Sequence, residues 1–238
     1  LQGLPFRLDS DLRAFYEGTL LGLFSPFALM TGLLSVAMIV LHGAGFLATK
    51  IEEGPVLERA RRIGTAAALV SFVLFALGGV WGATGQMGFR IEGIVDSMGP
   101  SNPRYVPALP APGAWLDNYG QHPWMLLAPI LGLAGPLVAL VGIRSRSHLI
   151  NLAGSSMATI GIIATVGLSM FPFILPSAID PQSSLTAWNA SSSHLTLWIM
   201  LLVTLIFLPI VLAYTAWAMR AMFGRVSIEQ VRTNPDFY

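Results

Sequence analysis

A long uncharged stretch near the end of the chain limits the folds that this sequence can adopt. From His194 the sequence runs to Met219 without an Asp, Glu, Lys or Arg, and the first charge is Arg220. A helix over 194–222 would be more than about 40 Å long, which exceeds a hydrocarbon core of about 30 Å. This segment is therefore predicted to cross a membrane.

The composition extends that conclusion to the whole chain. Hydrophobic residues make up 54% of the 238 residues and charged residues only 11%, and the mean hydropathy is +0.68. Soluble domains carry about 25% charged residues, so this chain could not cover itself with a hydrated surface. The predicted class is an all-α, polytopic transmembrane helix bundle.

Apolar segments bounded by polar turns divide the chain. Five of them are predicted to span the bilayer, at 26–47, 63–83, 125–143, 149–170 and 194–222. We expect a single membrane domain over 1–238, with an external connector at 85–123 and an external loop at 177–193. Because the chain opens at Leu1 on what looks like an interhelix loop, we also expect it to be the C-terminal portion of a longer subunit.

Prolines interrupt most of the connector, so no long helix is expected there. Its end, from Ala114 to Tyr119, predicts a short amphipathic piece. Trp115 and Tyr119 would then lie at the headgroup level, where aromatic residues collect in membrane proteins.

Small residues at helical spacing predict where the spans pack closely, since packing rather than water expulsion drives helix association in lipid. One such face on the second span comprises Ala67, Ser71, Gly78 and Gly82. A second face on the fourth span comprises Gly154, Ala158, Gly161 and Thr165. Proline within the third and fifth spans, Pro136 and Pro209, predicts kinks.

Basic residues predict the orientation, because loops that remain in the cytoplasm carry more Lys and Arg. With alternating crossings, one side collects Lys50, Arg59, Arg61, Arg62, Arg144, Arg146, Arg220, Arg225 and Arg232. The other side collects Arg7, Arg13, Arg90 and Arg104. The C-terminus is therefore predicted to be cytoplasmic, and the loop at 177–193, which has no Lys or Arg, external.

The same inventory excludes several chemistries. The chain has no cysteine, which excludes disulfides, thiolate metal sites and cysteine nucleophiles. A net charge of +1 argues against a nucleic-acid partner. The predicted spans at 26–47, 63–83, 125–143 and 149–170 contain no Asp or Glu, so they hold no carboxylate relay for protons.

Histidine is the remaining candidate ligand for a redox metal. His42 lies in the last third of the first span, whereas His122, His148 and His194 lie at turns or helix ends. Ligation of a haem by His42 is weighed against a packed histidine that hydrogen-bonds to its neighbours. Nothing in the sequence pairs with His42 as a second axial ligand.

Several ordered motifs resemble one family of membrane proteins. They are Phe171-Pro-Phe173, Pro176-Ser177, Ser184 to Trp188, Ser191 to Thr196, Leu208-Pro-Ile210, Tyr214 to Trp217 and Met222 to Arg225. Gly3 to Phe6, Phe15-Tyr16 and Gly113 to Trp115 extend the likeness towards the start of the chain. In this order and spacing they resemble subunit II of cytochrome bd-type quinol oxidases.

The resemblance implies a role in aerobic respiration. It implies a haem-free structural subunit of a complex that oxidises quinol and reduces dioxygen to water, in the bacterial plasma membrane. Haem b and haem d would be held by the partner, subunit I, so this chain would have no catalytic and no metal-binding residues. A small single-helix subunit and a bound quinone are also compatible with the family.

Trp188 and Asn189 are the candidate contact residues of the last loop. In one interpretation they touch a quinone headgroup, a lipid or the partner subunit. In the other they belong to a turn that Asp180-Pro181 begins, because Asp before Pro commonly initiates turns.

Two further functions stay open at this point. Helices broken at Pro136 and Pro209 are compatible with half of a secondary transporter, since discontinuous helices often build midplane sites. The absence of a charge within the spans counts against ion coupling. A membrane scaffold without any electron-transfer role has the same composition as an oxidase subunit.

Overall fold

The computed structural model describes residues 1–85, 87–93, 107–221 and 224. Its helices are α1 (Pro26–Lys50), α2 (Pro55–Thr84), α3 (Asp117–Gln121), α4 (Leu127–Arg144), α5 (His148–Met170) and α6 (His194–Ala221). Among these residues, five helical segments are long and apolar enough to cross a membrane. The prediction of five spans is confirmed.

Local capping explains where the spans begin. The Ser25 hydroxyl oxygen accepts a hydrogen bond from the Ala28 amide at 3.1 Å, and Pro26 occupies the first turn of α1. The Ser193 hydroxyl oxygen lies 3.4 Å from the Thr196 amide nitrogen at the start of α6. A serine at this position satisfies an amide that has no carbonyl partner within the helix.

The helix that forms the second span extends beyond the predicted apolar segment. Helix α2 begins at Pro55, eight residues before residue 63, so the three arginines that lead into the span lie on the helix. The Arg61 guanidinium donates to both carboxylate oxygens of Glu53 at 2.7 and 2.8 Å. This ion pair balances the positive charge of Arg61 in the polar first turns of α2.

Four of the spans form a closed ring. Contacts join α1 to α2, α2 to α4, α4 to α5, and α5 back to α1. Buried Leu41, Ala68, Ala139 and Ala158 fill the centre of this ring, each 0 or 1% exposed. Small side chains in the centre let the helix backbones approach closely.

The tightest contact joins α4 to α5. A Cβ atom added at Gly135, Gly154 or Gly161 would lie within 3.0 Å of the facing backbone. The face predicted on the fourth span is therefore confirmed at its glycines. The face predicted on the second span is confirmed at buried Ser71 but wrong at Gly82, where nothing lies within 4 Å of an added Cβ.

Both prolines lie within continuous helices. Helix α4 runs through Pro136, which is fully buried, and α6 runs through Pro209. The chain is therefore not broken at either position, and the transporter alternative loses the discontinuous helices on which it rested.

Helix α6 lies apart from the ring. None of the apolar window that qualifies it as a span is buried, whereas 22 to 44% of the corresponding windows is buried in the other four. Exposed Leu205, Phe207 and Tyr214 are typical of its surface. Among the described residues, nothing buries the apolar surface of α6.

Short antiparallel hairpins fold the loops at one end of the ring into a cap. They pair β1 (Phe6–Leu8) with β2 (Ala14–Tyr16), β3 (Phe89–Ile91) with β4 (Ala108–Pro110), and β5 (Phe173–Leu175) with β6 (Leu185–Thr186). We call this structure the outer cap. Its core contains Phe89, Trp115 and Phe173, whose ring centroids lie 5.6 to 6.1 Å apart.

Trp115 corrects the expectation of an aromatic residue at the headgroup level. The short helical piece forms as a 3-10 turn over Ala114–Leu116 followed by α3, but the Trp115 side chain is only 3% exposed. Its indole N–H donates to the Leu1 carbonyl at 3.1 Å. The ring is buried because it packs edge to face against Phe173 and in a tilted arrangement against Phe89 in the outer cap.

The α4–α5 contact generates a stability prediction. Gly154→Leu should lower the thermal unfolding midpoint of the detergent-solubilised protein, since the new side chain meets the backbone at Ala139 and overpacking costs roughly 1–3 kcal/mol or more. Gly79→Leu is the matched control, because nothing lies within 4 Å of a Cβ there. Equal midpoints for the two variants would contradict the close contact.

Candidate functional site at the outer cap

The structure separates the two candidate contact residues of the last loop. Trp188 is partly exposed and lines a cavity of about 470 Å³ in the outer cap. Asn189 is 3% exposed and lies beneath the loop surface. Of these two residues, Trp188 is therefore the one that a ligand or a partner can reach.

Asn189 holds the loop together through its side-chain amide. Its Oδ1 atom accepts hydrogen bonds from the Thr186 amide at 2.6 Å and the Thr186 hydroxyl at 2.9 Å. Its Nδ2 atom donates to the Ser184 carbonyl at 3.0 Å. A buried amide with this many partners fixes the backbone on both sides of Trp188.

The same loop is tied to the beginning of the chain. The Leu4 amide donates to the Pro176 carbonyl at 3.0 Å, and the Ala178 amide donates to the Leu4 carbonyl at 2.9 Å. The Ser177 hydroxyl donates to the Phe6 carbonyl. These contacts make the last loop a part of the outer cap rather than a free connection.

The cavity has an aromatic wall and a charged wall. Trp188 packs edge to face against Phe171, with ring centroids 5.7 Å apart. Arg90 and Asp117 also line the cavity, and the Arg90 guanidinium donates to the Asp117 carboxylate at 2.6 and 3.1 Å. His122, which is exposed, completes this polar side.

Helix α3 anchors the cavity to the membrane bundle. The Asn118 side-chain amide donates to the Leu168 carbonyl at 2.8 Å and the Phe171 carbonyl at 2.6 Å, which satisfies carbonyls at the end of α5. The Tyr119 hydroxyl lies 2.7 Å from the Ser169 hydroxyl oxygen. Burial raises the pKa of the Tyr119 phenol, so this group stays neutral around pH 7.

Sequence reasoning missed the charged wall. Arg90 and Asp117 lie in the connector, 27 positions apart, and no periodic pattern relates them. The motif from Gly113 to Trp115 was the available signal, because it immediately precedes α3. The sequence did not show that the β3–β4 hairpin would bring Arg90 next to α3.

The histidines do not form a metal site within the described residues, where no cluster of three or more candidate ligands occurs. His42 Nδ1 lies 3.2 Å from the Ser155 hydroxyl oxygen across α1 and α5. The Ser155 hydroxyl itself donates to the Leu152 carbonyl at 2.9 Å, so the imidazole is the donor in the His42 contact.

The surroundings of His42 do not fit a haem between these helices. An added Cβ at Gly45, three residues after His42 on α1, would lie 2.9 Å from the Ser155 hydroxyl oxygen and 3.4 Å from the Leu152 Cα atom of α5. A macrocycle needs a cleft wider than a methyl group, and helix contacts of this kind leave none. His42 is instead a packed histidine bonded to a neighbouring helix.

Taken together, the apolar helix ring, the bare sixth helix and the folded outer cap define a multi-pass membrane protein built to associate with further protein or lipid. The family model described as cytochrome bd terminal oxidase subunit II matches residues 1–222. The chain belongs to that family, as the sequence motifs predicted.

Curated relatives agree with the family assignment. The chain is 39% identical over 234 residues to cytochrome bd-I ubiquinol oxidase subunit 2 of Escherichia coli K12, covering 98% of this chain and 62% of the relative. It is 33% identical to a probable cytochrome oxidase subunit 2 of Haemophilus influenzae, covering 98% of this chain and 61% of the relative. The chain thus spans less than two thirds of the relatives it matches.

The Asn189 network generates a prediction that separates a structural role from a contact role. Asn189→Ala should leave Thr186 and Ser184 groups buried without partners, at a cost of roughly 1–3 kcal/mol. Amide hydrogen exchange across 173–193 should accelerate accordingly.

Ser192→Ala, at an exposed position of the same loop, is the control and should leave exchange unchanged. Unchanged exchange in Asn189→Ala would show that the loop does not depend on the amide.

Proposed function

We propose that this chain belongs to the haem-free structural subunit of a cytochrome bd-type quinol oxidase. The complex would transfer electrons from quinol to dioxygen, forming quinone and water, and would charge the membrane by releasing protons outside. The observation that carries the proposal is the family match over residues 1–222. The chain would be part of an oxidoreductase whose chemistry occurs on the partner subunit, and we assign no catalytic residue to it.

The uncovered sixth helix is where we propose that the partner subunit contacts this chain. An apolar helix with no buried residue in its spanning window has to be covered by lipid or by protein. We propose that the haem-bearing subunit I covers α6 along part of its length. The family's small single-helix subunit is a further candidate neighbour at the exposed perimeter.

Haem b and haem d are assigned to the partner in this proposal. The support is the close approach of α1 and α5 beside His42, together with the His42 contact to the Ser155 hydroxyl, which occupies one ring nitrogen. This chain would close one side of the oxidase and separate the oxygen and proton routes of the complex from lipid.

The outer cavity is the proposed contact point for the quinol side of the complex. Trp188 and Phe171 present an aromatic wall to the cavity, and the Arg90–Asp117 pair presents hydrogen-bonding groups to it. This arrangement suits either a quinone headgroup or a polar loop of the partner. Asn189 would act only by holding Trp188 in position.

The proposed orientation places the outer cap outside the cell and the C-terminus in the cytoplasm. Among the described residues, seven basic side chains lie towards one end, namely Lys50, Arg59, Arg61, Arg62, Arg144, Arg146 and Arg220. Three lie in the outer cap, namely Arg7, Arg13 and Arg90. Arg104, Arg225 and Arg232 lie outside the described residues.

The absence of cysteine in the chain provides a direct test of orientation. Ser192→Cys, in the last loop, should react with a membrane-impermeant maleimide in intact spheroplasts. Ser145→Cys, in the turn between α4 and α5, should react only after lysis. The reverse pattern would overturn the orientation.

The oxidase role is tested by purifying the tagged full-length subunit in mild detergent. We expect haem d to co-purify, seen as a red-absorbing band in the reduced-minus-oxidised spectrum, together with oxygen consumption on addition of quinol. Untagged cells provide the control for carry-over. A colourless preparation from cells that make the haem would contradict the proposal.

A further inference from the structure

A second cavity opens at the end of the bundle opposite the outer cap. It has a volume of about 810 Å³ and lies between the last turns of α1, the first turns of α5 and the last turns of α6. Its walls are mainly apolar side chains, contributed by Phe46, Leu149, Leu152, Ala216 and Met219. This volume lies within the usual range for a site that holds one small organic molecule.

Three nitrogen-bearing side chains meet at the same cavity. Lys50 comes from the last turn of α1, Arg220 from the last turn of α6 and His148 from the first residue of α5. Because three separate helices supply them, their convergence is a property of the fold and not of one basic sequence run.

Helix dipoles explain only part of this arrangement. A cation in the last turn of a helix interacts favourably with its carbonyl end, which accounts for Lys50 and Arg220 taken singly. The first turn of α5 is different, because helix N-termini attract anions and Ser147 makes no side-chain cap bond to its amides. Lys50, Arg220 and the first turn of α5 thus line one cavity, and each of these groups interacts favourably with an anion.

The apolar walls indicate what else the ligand carries. Leu149 is 67% exposed, and Phe46 and Met219 are 40 and 41% exposed, although all three belong to membrane-spanning segments. A free inorganic anion would leave these surfaces uncovered. A molecule with one anionic group and long hydrocarbon chains matches both halves of the cavity.

We propose that this cavity binds one anionic phospholipid, with its phosphate between Lys50, Arg220 and the start of α5 and an acyl chain along the apolar walls. Basic pockets between membrane helices on the cytoplasmic side are suited to such headgroups. The lipid would fill the space between α6 and the helix ring, where the described residues provide little direct packing. The proposal rests on the proposed orientation, in which this end of the bundle is cytoplasmic, and is independent of oxidase activity.

The first test uses the unmodified complex in nanodiscs that contain a photoreactive phosphatidylglycerol. Cross-links should map to the cavity segments 46–50, 148–152 and 216–220, and unlabelled phosphatidylglycerol should compete for them. Phosphatidylcholine and inorganic phosphate should compete poorly. Equal competition by phosphatidylcholine or by phosphate, or cross-links only outside the cavity segments, would overturn the proposal.

The second test compares matched charge variants. Lys50→Gln combined with Arg220→Gln should reduce retention of phosphatidylglycerol roughly 25-fold, since each cation near an anionic headgroup contributes a factor of about five. Arg144→Gln combined with Arg146→Gln removes the same charge from the exposed neighbouring turn, outside the cavity walls, and should retain the lipid.

Equal retention by both double variants, or equal loss, would refute a specific site. If the cavity variant fails to assemble, the cross-linking and competition on the unmodified complex decide the matter without it.

Discussion

The backbone contact between α4 and α5 is the constraint on which the rest of the structure depends. Within a bilayer no hydrophobic force between protein and solvent holds helices together, so association relies on close packing. Gly135, Gly154 and Gly161 allow two backbones to meet without intervening side chains. This rigid pair then offers one surface to α1 and another to α2, which closes the ring.

The outer cap converts that ring into a defined surface. Three short hairpins would be marginal alone, because isolated two-stranded hairpins bury little apolar area. Here Phe89, Trp115 and Phe173 give them a shared core, and Asn118 fastens that core to the end of α5. Trp188 is linked to the bundle as well, because it packs against Phe171, whose carbonyl accepts a hydrogen bond from Asn118.

The sequence predicted the features that are encoded by a periodic pattern of residues. Apolar runs of membrane length identified the five spans, and glycine spacing identified the α4–α5 face. It did not predict the hairpins, since strands of two or three residues are too short to show a period. Trp115 was misplaced for a related reason: an aromatic residue in a membrane loop looks the same whether it faces the headgroups or a folded cap.

The candidate site was predicted only in outline. The loop around Trp188 and Asn189 was identified, but not the division of labour in which one side chain faces the cavity and the other supports it. Arg90 was not related to this site because its proximity to Asp117 depends on tertiary contacts between distant segments. The convergence of Lys50, His148 and Arg220 at the inner cavity is equally nonlocal.

The two ends of the molecule thus have different characters. One end is the folded cap with an aromatic and ion-paired cavity, and the other end contains the basic, apolar cavity that we propose binds lipid. Between them, α6 presents an apolar surface to lipid or protein. This combination is what a supporting subunit needs if its partner carries the redox chemistry.

An electron cryomicroscopy structure of the intact complex would decide whether this chain is the haem-free supporting subunit. We expect α6 to contact the haem-bearing subunit and every haem iron to be ligated by residues of that subunit. A haem iron bonded to His42, His122, His148 or His194, or an α6 surrounded by lipid on all sides, would contradict it.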